Sequence, residues 1–552
     1  MSKQTNIQRA IQYFQAGNLL KAEEIFRKIW KKSPDSLEAV RYLGLIAYQR
    51  EDHDSAIRYL KRLIELNPTD AYTYNNLGFL LKSRGLLDEA IEYFKKAIHH
   101  NPIFSHALYN LGNALHMRGQ LDEAIEYYRK ALHLNPKDFE AWNNLGNVFR
   151  DKGYLEEAKN SYQKALQINP GFVLAHNNLG TVLHDRGQFE EACKSYQKAL
   201  DINPKYLPSY NNMGVALREE GRFRDAKMWY EKALAIDPDD PEAHWNMAIT
   251  SLLEGELEEG WREYEWRLKR KGVTVLERPP SQPRWNGSNA AGRTVLLYAE
   301  QGMGDTVHFI RYAPLVAGRG ARVIVECQRE LLTLVKNVKG VEEVFEKGAE
   351  LPAFDIWCPL LSLPLLFATK LETIPANVPY LSVQEVRKES WRQRLLGGPS
   401  GFRVGLVWAG NPKYRQDRIR SCPLEFLQAL SNLDRIVLYS LQKGPSAQQI
   451  ENPHGGLRII NYMEEANDFE DTAALIANLD LVISVDTAVL HVAGAMGKRT
   501  WALLPYTPDW RWMLNRADSP WYPTMRLFRQ PKFGDWESVI QNILRELIQE
   551  IK

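Results

Sequence analysis

Cysteine is scarce in this sequence: Cys193, Cys327, Cys358 and Cys422 are scattered over 552 residues with neither paired nor metal-like spacing. That argues against a disulfide framework and fits a reducing compartment. An excess of charge is also missing. Seventy basic against 68 acidic residues leave +2, too little for a long-range field to recruit nucleic acid or anionic membrane, so any polyanion site must be local. Long apolar runs are absent too. The longest, near Leu360 to Ala368, is too short to span a bilayer, and the polar start from Met1 to Asn6 has no signal-peptide core. A cytoplasmic protein without a transmembrane segment is therefore expected, with 44% apolar residues to build two or three domains.

What is present first is a repeat. Pro34, Pro68, Pro102, Pro136, Pro170, Pro204 and Pro238 keep a step of 34, as do Gly85, Gly119, Gly153, Gly187 and Gly221 and the pairs Leu77-Gly78, Leu111-Gly112, Leu145-Gly146 and Leu179-Gly180. This period and these columns are the tetratricopeptide pattern, in which each unit is a helix pair closed by proline. One unit cannot bury its apolar stripe alone, so the units stack into an α-solenoid with a groove. Asn76, Asn110, Asn144, Asn178, Asn212 and Asn246 form a further column. Asparagine is a poor helix former, and something must offset its repeated cost. Either the amides bond between repeats, or they line the groove and bind the backbone of an extended peptide. The column resembles that of the O-GlcNAc transferases, and the resemblance implies that a polypeptide acceptor is held there.

The repeats are expected to fill residues 1–272, with a proline-rich linker over 273–292 that contains Arg278 to Trp285. Beyond it, apolar strands alternate with helices. Strands are read at Thr294 to Ala299, Arg322 to Glu326 and Asp355 to Cys358, then at Phe402 to Ala409, Ile436 to Ser440 and Leu479 to Val485. Such alternation predicts parallel sheets that bind ligands beyond the C-terminal ends of their strands. Two Rossmann-like lobes, 293–398 and 399–552, joined by a link around 383–400, describe an α/β domain of the GT-B kind with its active site in the cleft.

Each lobe carries one motif. In the first, the loop from Glu300 to Asp305 turns on two glycines, and Asp305 falls at a helix start: it is either a cap or a general base that takes the proton of an acceptor hydroxyl. In the second, a buried strand ends at Val485, and Asp486, Thr487 and Ala488 open a helix. Backbone N–H groups and the positive helix end there suit a diphosphate, although an ordinary α/β turn has the same spacing. Gly-Met-Gly-Asp-x-x-His, ending at His308, and Asp-Thr-x-x-x-His-x-Ala, at Asp486, Thr487, His491 and Ala493, resemble the two motifs of heptosyltransferase-like family 9 glycosyltransferases. The resemblance implies that Asp305 is the base, with His308 as a further catalytic candidate. It also implies that the donor diphosphate lies on the Thr487 and Ala488 amides, with Asp486 near sugar hydroxyls and His491 in the same motif.

The loop from Asn411 to Ser421 collects Lys413, Arg415, Arg418 and Arg420; it is either a solvated basic loop or a clamp on the leaving diphosphate. By register with the family's Lys-x-x-Pro, Arg420 is the residue implied. Gln442 and Lys443 resemble the pair that holds the nucleotide phosphates in the O-GlcNAc transferases. No Asp-x-Asp lies in either lobe, and Asp237-Pro-Asp239 sits in a repeat turn, so no metal site is expected. The aromatic block from Trp501 to Trp521 borders the ligand or belongs to the core.

The resulting expectation is a nucleotide-sugar-dependent, inverting, metal-independent protein O-glycosyltransferase. It has no cofactor beyond its co-substrate and transfers to a Ser or Thr hydroxyl of a polypeptide. One alternative keeps the chemistry with a lipid-linked or polysaccharide acceptor; another is a scaffold with an inactive, nucleotide-binding domain. Self-association into a homo-oligomer stays open.

Overall fold

The proline period resolves into antiparallel helix pairs. The computed structural model describes residues 3–270, 281–412, 417–433, 435–451 and 456–551, which fall into two units, Met1–Asn212 and Met213–Lys552. In the first unit, pairs such as Phe139–Asp151 with Leu155–Ile168 and Val173–Asp185 with Phe189–Ile202 repeat from a first pair, Lys3–Gln15 with Leu19–Lys32. The two glycine columns do different work. Gly85, Gly119, Gly153 and Gly187 follow the first helix of their pairs at φ between 74° and 81°, a left-handed stop that costs other residues strain. Gly146 and Gly180 are close approaches: a Cβ would lie 2.6 Å from Tyr162 and 2.5 Å from Tyr196, rings that fill the notch and are almost wholly buried. A third regularity is hidden because its residue type changes. Tyr74, Trp142 and His176 each direct a ring donor at the carbonyl of their repeat's proline, Pro68, Pro136 or Pro170, at 2.9–3.2 Å.

In the second unit the helices Phe223–Ile236, Pro241–Glu254 and Leu257–Tyr264 lead into a short 3-10 turn, Glu265–Lys269. The last of these are bonded into the α/β region. Trp261 donates to the Thr369 carbonyl at 3.1 Å, and Arg267, completely buried, pairs with Glu300 at 2.9 Å and donates to Ser362 at 2.7 Å. The expected boundary at 272–273 and Arg278 lie outside the described residues. The described end of the proline-rich stretch is built into the sheet: Trp285 N–H donates to the Trp357 carbonyl at 2.8 Å, and Arg284 bridges Trp357 in parallel.

The first sheet contains β1 (Thr294–Tyr298), β2 (Arg322–Cys327), β3 (Val341–Glu346) and β4 (Ile356–Pro359), in the order β3-β2-β1-β4. The second contains β5 (Phe402–Val407), β6 (Ile436–Ser440), β7 (Ile459–Asn461), β8 (Leu481–Val485), β9 (Thr500–Leu504) and β10 (Met525–Arg529), in the order β10-β9-β8-β5-β6-β7. All pairings between these strands are parallel. Read from β7 inward, the second sheet is doubly wound, and its direction of winding reverses between β5 and β8, where such sheets leave a crevice beyond the strand ends. The first sheet reverses between β1 and β4. One hydrophobic core runs through both sheets and the last helices. Over 383–400 lies the helix Glu385–Leu396, held to the second sheet's helix Phe469–Ala477 by Arg387, which pairs with Asp468 and Asp471 at 3.0 Å and Glu470 at 3.2 Å. No helix among the described residues is long and apolar enough to cross a membrane.

Candidate active site

Each motif sits at the winding reversal of its sheet. After β1 the chain passes Glu300 and turns into the helix Met303–Phe309; after β8 it passes Asp486 and Thr487 into the helix Ala488–Ala495. These two helices meet. A Cβ on Gly304 would lie 3.0 Å from the His491 ring and 3.5 Å from Ala488 Cα, so the missing side chain lets the first helix start against the first turn of the second. Asp305 is thereby one residue from the Thr487-Ala488 turn. Its Oδ2 accepts the Gly302 N–H at 3.0 Å, and its other oxygen pairs with Arg511, which reaches over from the loop after β9.

Arg511 was not legible as a site residue. It is buried, lies 4.3 Å over the Trp510 ring, and pairs with Asp509 at 2.8 Å as well as with Asp305. The two carboxylates hold it protonated against the cost of burial. Burial lifts the Asp509 carboxyl; Arg511 opposes that lift and the nearby Asp486 charge adds to it.

Asp486 is enclosed differently. Trp512 Nε1 donates to its Oδ2 at 2.9 Å, and His491 Nε2 faces its Oδ1 at 3.6 Å. Burial would raise this carboxyl, but the neighbouring His491, the Trp512 hydrogen bond and the charge of Arg420 hold it below the usual carboxylate range. Asp486 is thus an acceptor-only group at the mouth of the β5–β8 crevice. Arg420 stands on the other side. Its Nε donates to Asp417 at 3.0 Å, and the guanidinium lies so close to Gly410, just past β5, that a Cβ there would collide with it. Asn411 is exposed at the head of the same loop. Lys413 and Arg415 lie outside the described residues, as does the Arg418 side chain.

Gln442 and Lys443 serve the protein itself. The Gln442 carbonyl accepts the Trp408 and Ala409 N–H groups at 3.2 and 3.0 Å, its amide donates to the Lys443 carbonyl at 2.9 Å, and the residue is buried, bracing the loop after β5. The Lys443 ammonium donates to the Ala466 carbonyl. His308 has no exposed surface and faces the interior, not the crevice. Burial, with Arg311 and Arg511 nearby, pulls it well below the ordinary histidine value, so it is neutral. The aromatic block is core: Trp501, Trp510, Trp512 and Trp521 are buried. Among the described residues no group of three His, Cys, Asp or Glu is arranged to hold a metal ion.

The asparagine column bonds between repeats. Asn110 donates to Asn75 at 2.9 Å, Asn144 to Tyr109 and Asn113 at 2.9 and 3.0 Å, Asn178 to Asn143 and Asn147 at 3.0 and 3.2 Å, and Asn212 to Asn177 at 3.0 Å. Both amino hydrogens of Asn144 and Asn178 are taken, which leaves only their carbonyl oxygens for a ligand. Asn76 is exposed and accepts from Asn75 at 3.4 Å, and Asn246 is half-buried. A net hydrogen bond contributes about 0.5–1.5 kcal/mol and Asn144, Asn178 and Asn212 donate five, while alanine's better helix propensity returns about 0.5 kcal/mol per site, so replacing the three together by Ala is expected to lower stability by about 1–6 kcal/mol. Urea unfolding measures this, and an unchanged midpoint would mean that the column does not hold the repeats together.

Tetratricopeptide-repeat profiles match residues 7–71, 71–104, 93–126, 112–153, 146–187 and 172–239, and the profile of glycosyltransferase family 9 (heptosyltransferase) matches 437–534. The chain carries tetratricopeptide repeats followed by a C-terminal glycosyltransferase family 9 domain. The matched stretch includes Asp486, His491, Arg511 and Tyr522; the helix of Asp305 precedes it. Among curated proteins, Protein FlbA of Caulobacter vibrioides is 27% identical over 316 residues, 52% of this chain and 52% of that protein, so the chain spans about half the length of this relative. Crystal structures of YrrB, described as a TPR protein with an unusual peptide-binding site, and of MamA are similar over 33% and 30% of this chain and 95% of each of theirs. Their identities are 26% and 31%, with a TM-score of 0.29 for each.

Proposed function

We propose that the chain is a GT-B-type, nucleotide-sugar-dependent glycosyltransferase that passes a sugar, with inversion and without a metal ion, to a Ser or Thr hydroxyl of a polypeptide recognised by the repeats. The observation that carries this reading is the contact of Gly304 with Ala488, which brings Asp305 beside the Asp486 turn. In this reading the donor occupies the crevice beyond β5 and β8. The Thr487 and Ala488 amides and the positive end of their helix hold the diphosphate, Arg420 neutralises it as it leaves, and Asp486 accepts from sugar hydroxyls. Asp305 takes the acceptor proton as the new C–O bond forms and the bond to the diphosphate breaks. Binding by the repeats falls on what inter-repeat bonding leaves: at Asn144 and Asn178 a polypeptide would meet carbonyl oxygens, which accept its backbone N–H groups.

The family's description, heptosyltransferase, favours a second reading with the same donor chemistry and a sugar hydroxyl as acceptor. A panel of nucleotide-sugars, each incubated with the protein and with polypeptide or glycan acceptors, separates the two by which acceptor gains mass. Nucleoside diphosphates are expected to bind equally well with and without EDTA in calorimetry, since a helix end and a guanidinium supply the positive charge. Loss of binding on chelation would overturn the metal-independent form of the reading.

A further inference from the structure

Tyr522 lies outside both motifs, in the loop before β10, and is completely buried. Its hydroxyl is 3.0 Å from Nδ1 of His308, on the first motif's helix, and 2.9 Å from Nδ1 of His491, on the second's. A phenol has one proton, so it cannot donate to both imidazoles, and one of them must donate to it.

The surroundings fix which. His491 Nε2 faces Asp486 Oδ1, a carboxylate oxygen that only accepts; a proton on Nε2 is favourable there and a bare lone pair is not. Nδ1 of His491 is then a lone pair, which takes the Tyr522 proton. The Tyr522 oxygen in turn accepts the Nδ1–H of His308. That leaves His308 Nε2, buried and without a partner, as an unpaired acceptor. The reverse polarity would bury an orphaned N–H at His308 and set a lone pair against the Asp486 carboxylate, an added penalty at each end. Tyr380, 3.5 Å away, does not compete: its proton goes to the Val307 carbonyl at 3.0 Å and its oxygen accepts from Arg311 at 2.9 Å.

We infer that Tyr522 is a positioning residue, whose hydroxyl donates to the Nδ1 lone pair that Asp486 sets on His491 and accepts from His308 Nδ1–H, and so holds the imidazole in place for it and Trp512 together to aim the Asp486 carboxylate at the crevice. The consequence for catalysis rests on the reading of Asp486 as a donor-side group; the tautomer does not.

Nuclear magnetic resonance of the full chain labelled with 15N-histidine tests it. Long-range 15N–1H correlations distinguish the tautomers of its 12 histidines, and His308→Gln and His491→Gln assign the two signals. Opposite tautomers are expected, with the proton on Nε2 in His491 and on Nδ1 in His308. In Tyr522→Phe, which keeps the ring and loses the hydroxyl, the Nδ1–H of His308 loses its acceptor and His308 should become a tautomer mixture, while His491, still facing Asp486, keeps its proton on Nε2. The KM for donor should rise about 3- to 10-fold with kcat little changed. A proton on Nδ1 of His491 in the unaltered protein, or an unchanged single tautomer of His308 in Tyr522→Phe, would overturn the inference. The first of these readouts needs no variant to fold. If the tautomers are as stated and no nucleotide-sugar is bound or turned over, the transferase reading fails while the assignment of Tyr522 to the tautomer stands.

Discussion

Asp305→Asn is expected to lower sugar transfer by about 100- to 10,000-fold, about 3–5 kcal/mol of barrier, while donor affinity stays close to that of the unaltered protein. The substitution keeps shape. Asparagine can still accept the Gly302 N–H, and Arg511, which loses one carboxylate, retains Asp509 at 2.8 Å. What disappears is a group that can take a proton. The donor groups, the Thr487-Ala488 turn, Asp486 and Arg420, belong to the second sheet's crevice and do not bond Asp305, so they report separately. Transfer and donor binding should therefore be measured on the same preparations, using whichever nucleotide-sugar the panel identifies. Joint loss of both would indicate damage to the Arg511 ion pairs, not a missing base. Undiminished transfer would remove Asp305 from the chemistry, and a scaffold would show identical melting and binding with no activity in either protein.

The repeats and the site were legible to different depths, for reasons particular residues make plain. A fixed period exposes any column whose residue type is constant, so the glycine stops and the asparagines could be read directly. The donors to the proline carbonyls could not, because Tyr74, Trp142 and His176 share a bond and not an identity. Asn113 and Asn147, which accept from Tyr128 and Tyr162 as well as from the asparagine column, occur in two repeats only. In the α/β region β3 was missed because Val341–Glu346 carries charge at an edge, and β9 because Trp501 was read into an aromatic block. Asp305 and Asp486 could be singled out because each lies in a short motif. Arg511 and Tyr522 hold those motifs together from about 200 residues beyond Asp305 and His308, a distance at which local pattern carries no signal. The bracing bonds of Gln442 were missed for another reason: a polar side chain after a strand is as useful to the loop's own N–H groups as to a ligand.

Removing the positive charge of Arg267 should have the largest effect on stability, about 3–5 kcal/mol for Arg267→Met in urea unfolding. Arg267 ends the helical region and has no exposed surface; the side chain of Glu300, its partner at 2.9 Å, has none either. Without the guanidinium, Glu300 keeps only the Leu361 N–H at 3.2 Å among the described residues, and Glu265 keeps Arg284 and Ser362. Burial already pushes the Glu300 carboxyl up, against the pull of Arg267, and the variant removes that pull. A carboxyl raised in the folded state above its unfolded value of about 4.3 loses stability as pH rises through the interval between them. The deficit of Arg267→Met should therefore shrink as pH falls from 7 toward 5. Replacing Glu300 by Leu as well should recover most of it, because removing both charges spares the buried carboxylate its desolvation. Glu300 also begins the loop that carries Gly302 and Asp305, so the single variant should lose transfer along with stability. A deficit of under about 1 kcal/mol, or one that does not change with pH, would mean that the pair does not join the last helices to the loop of Asp305.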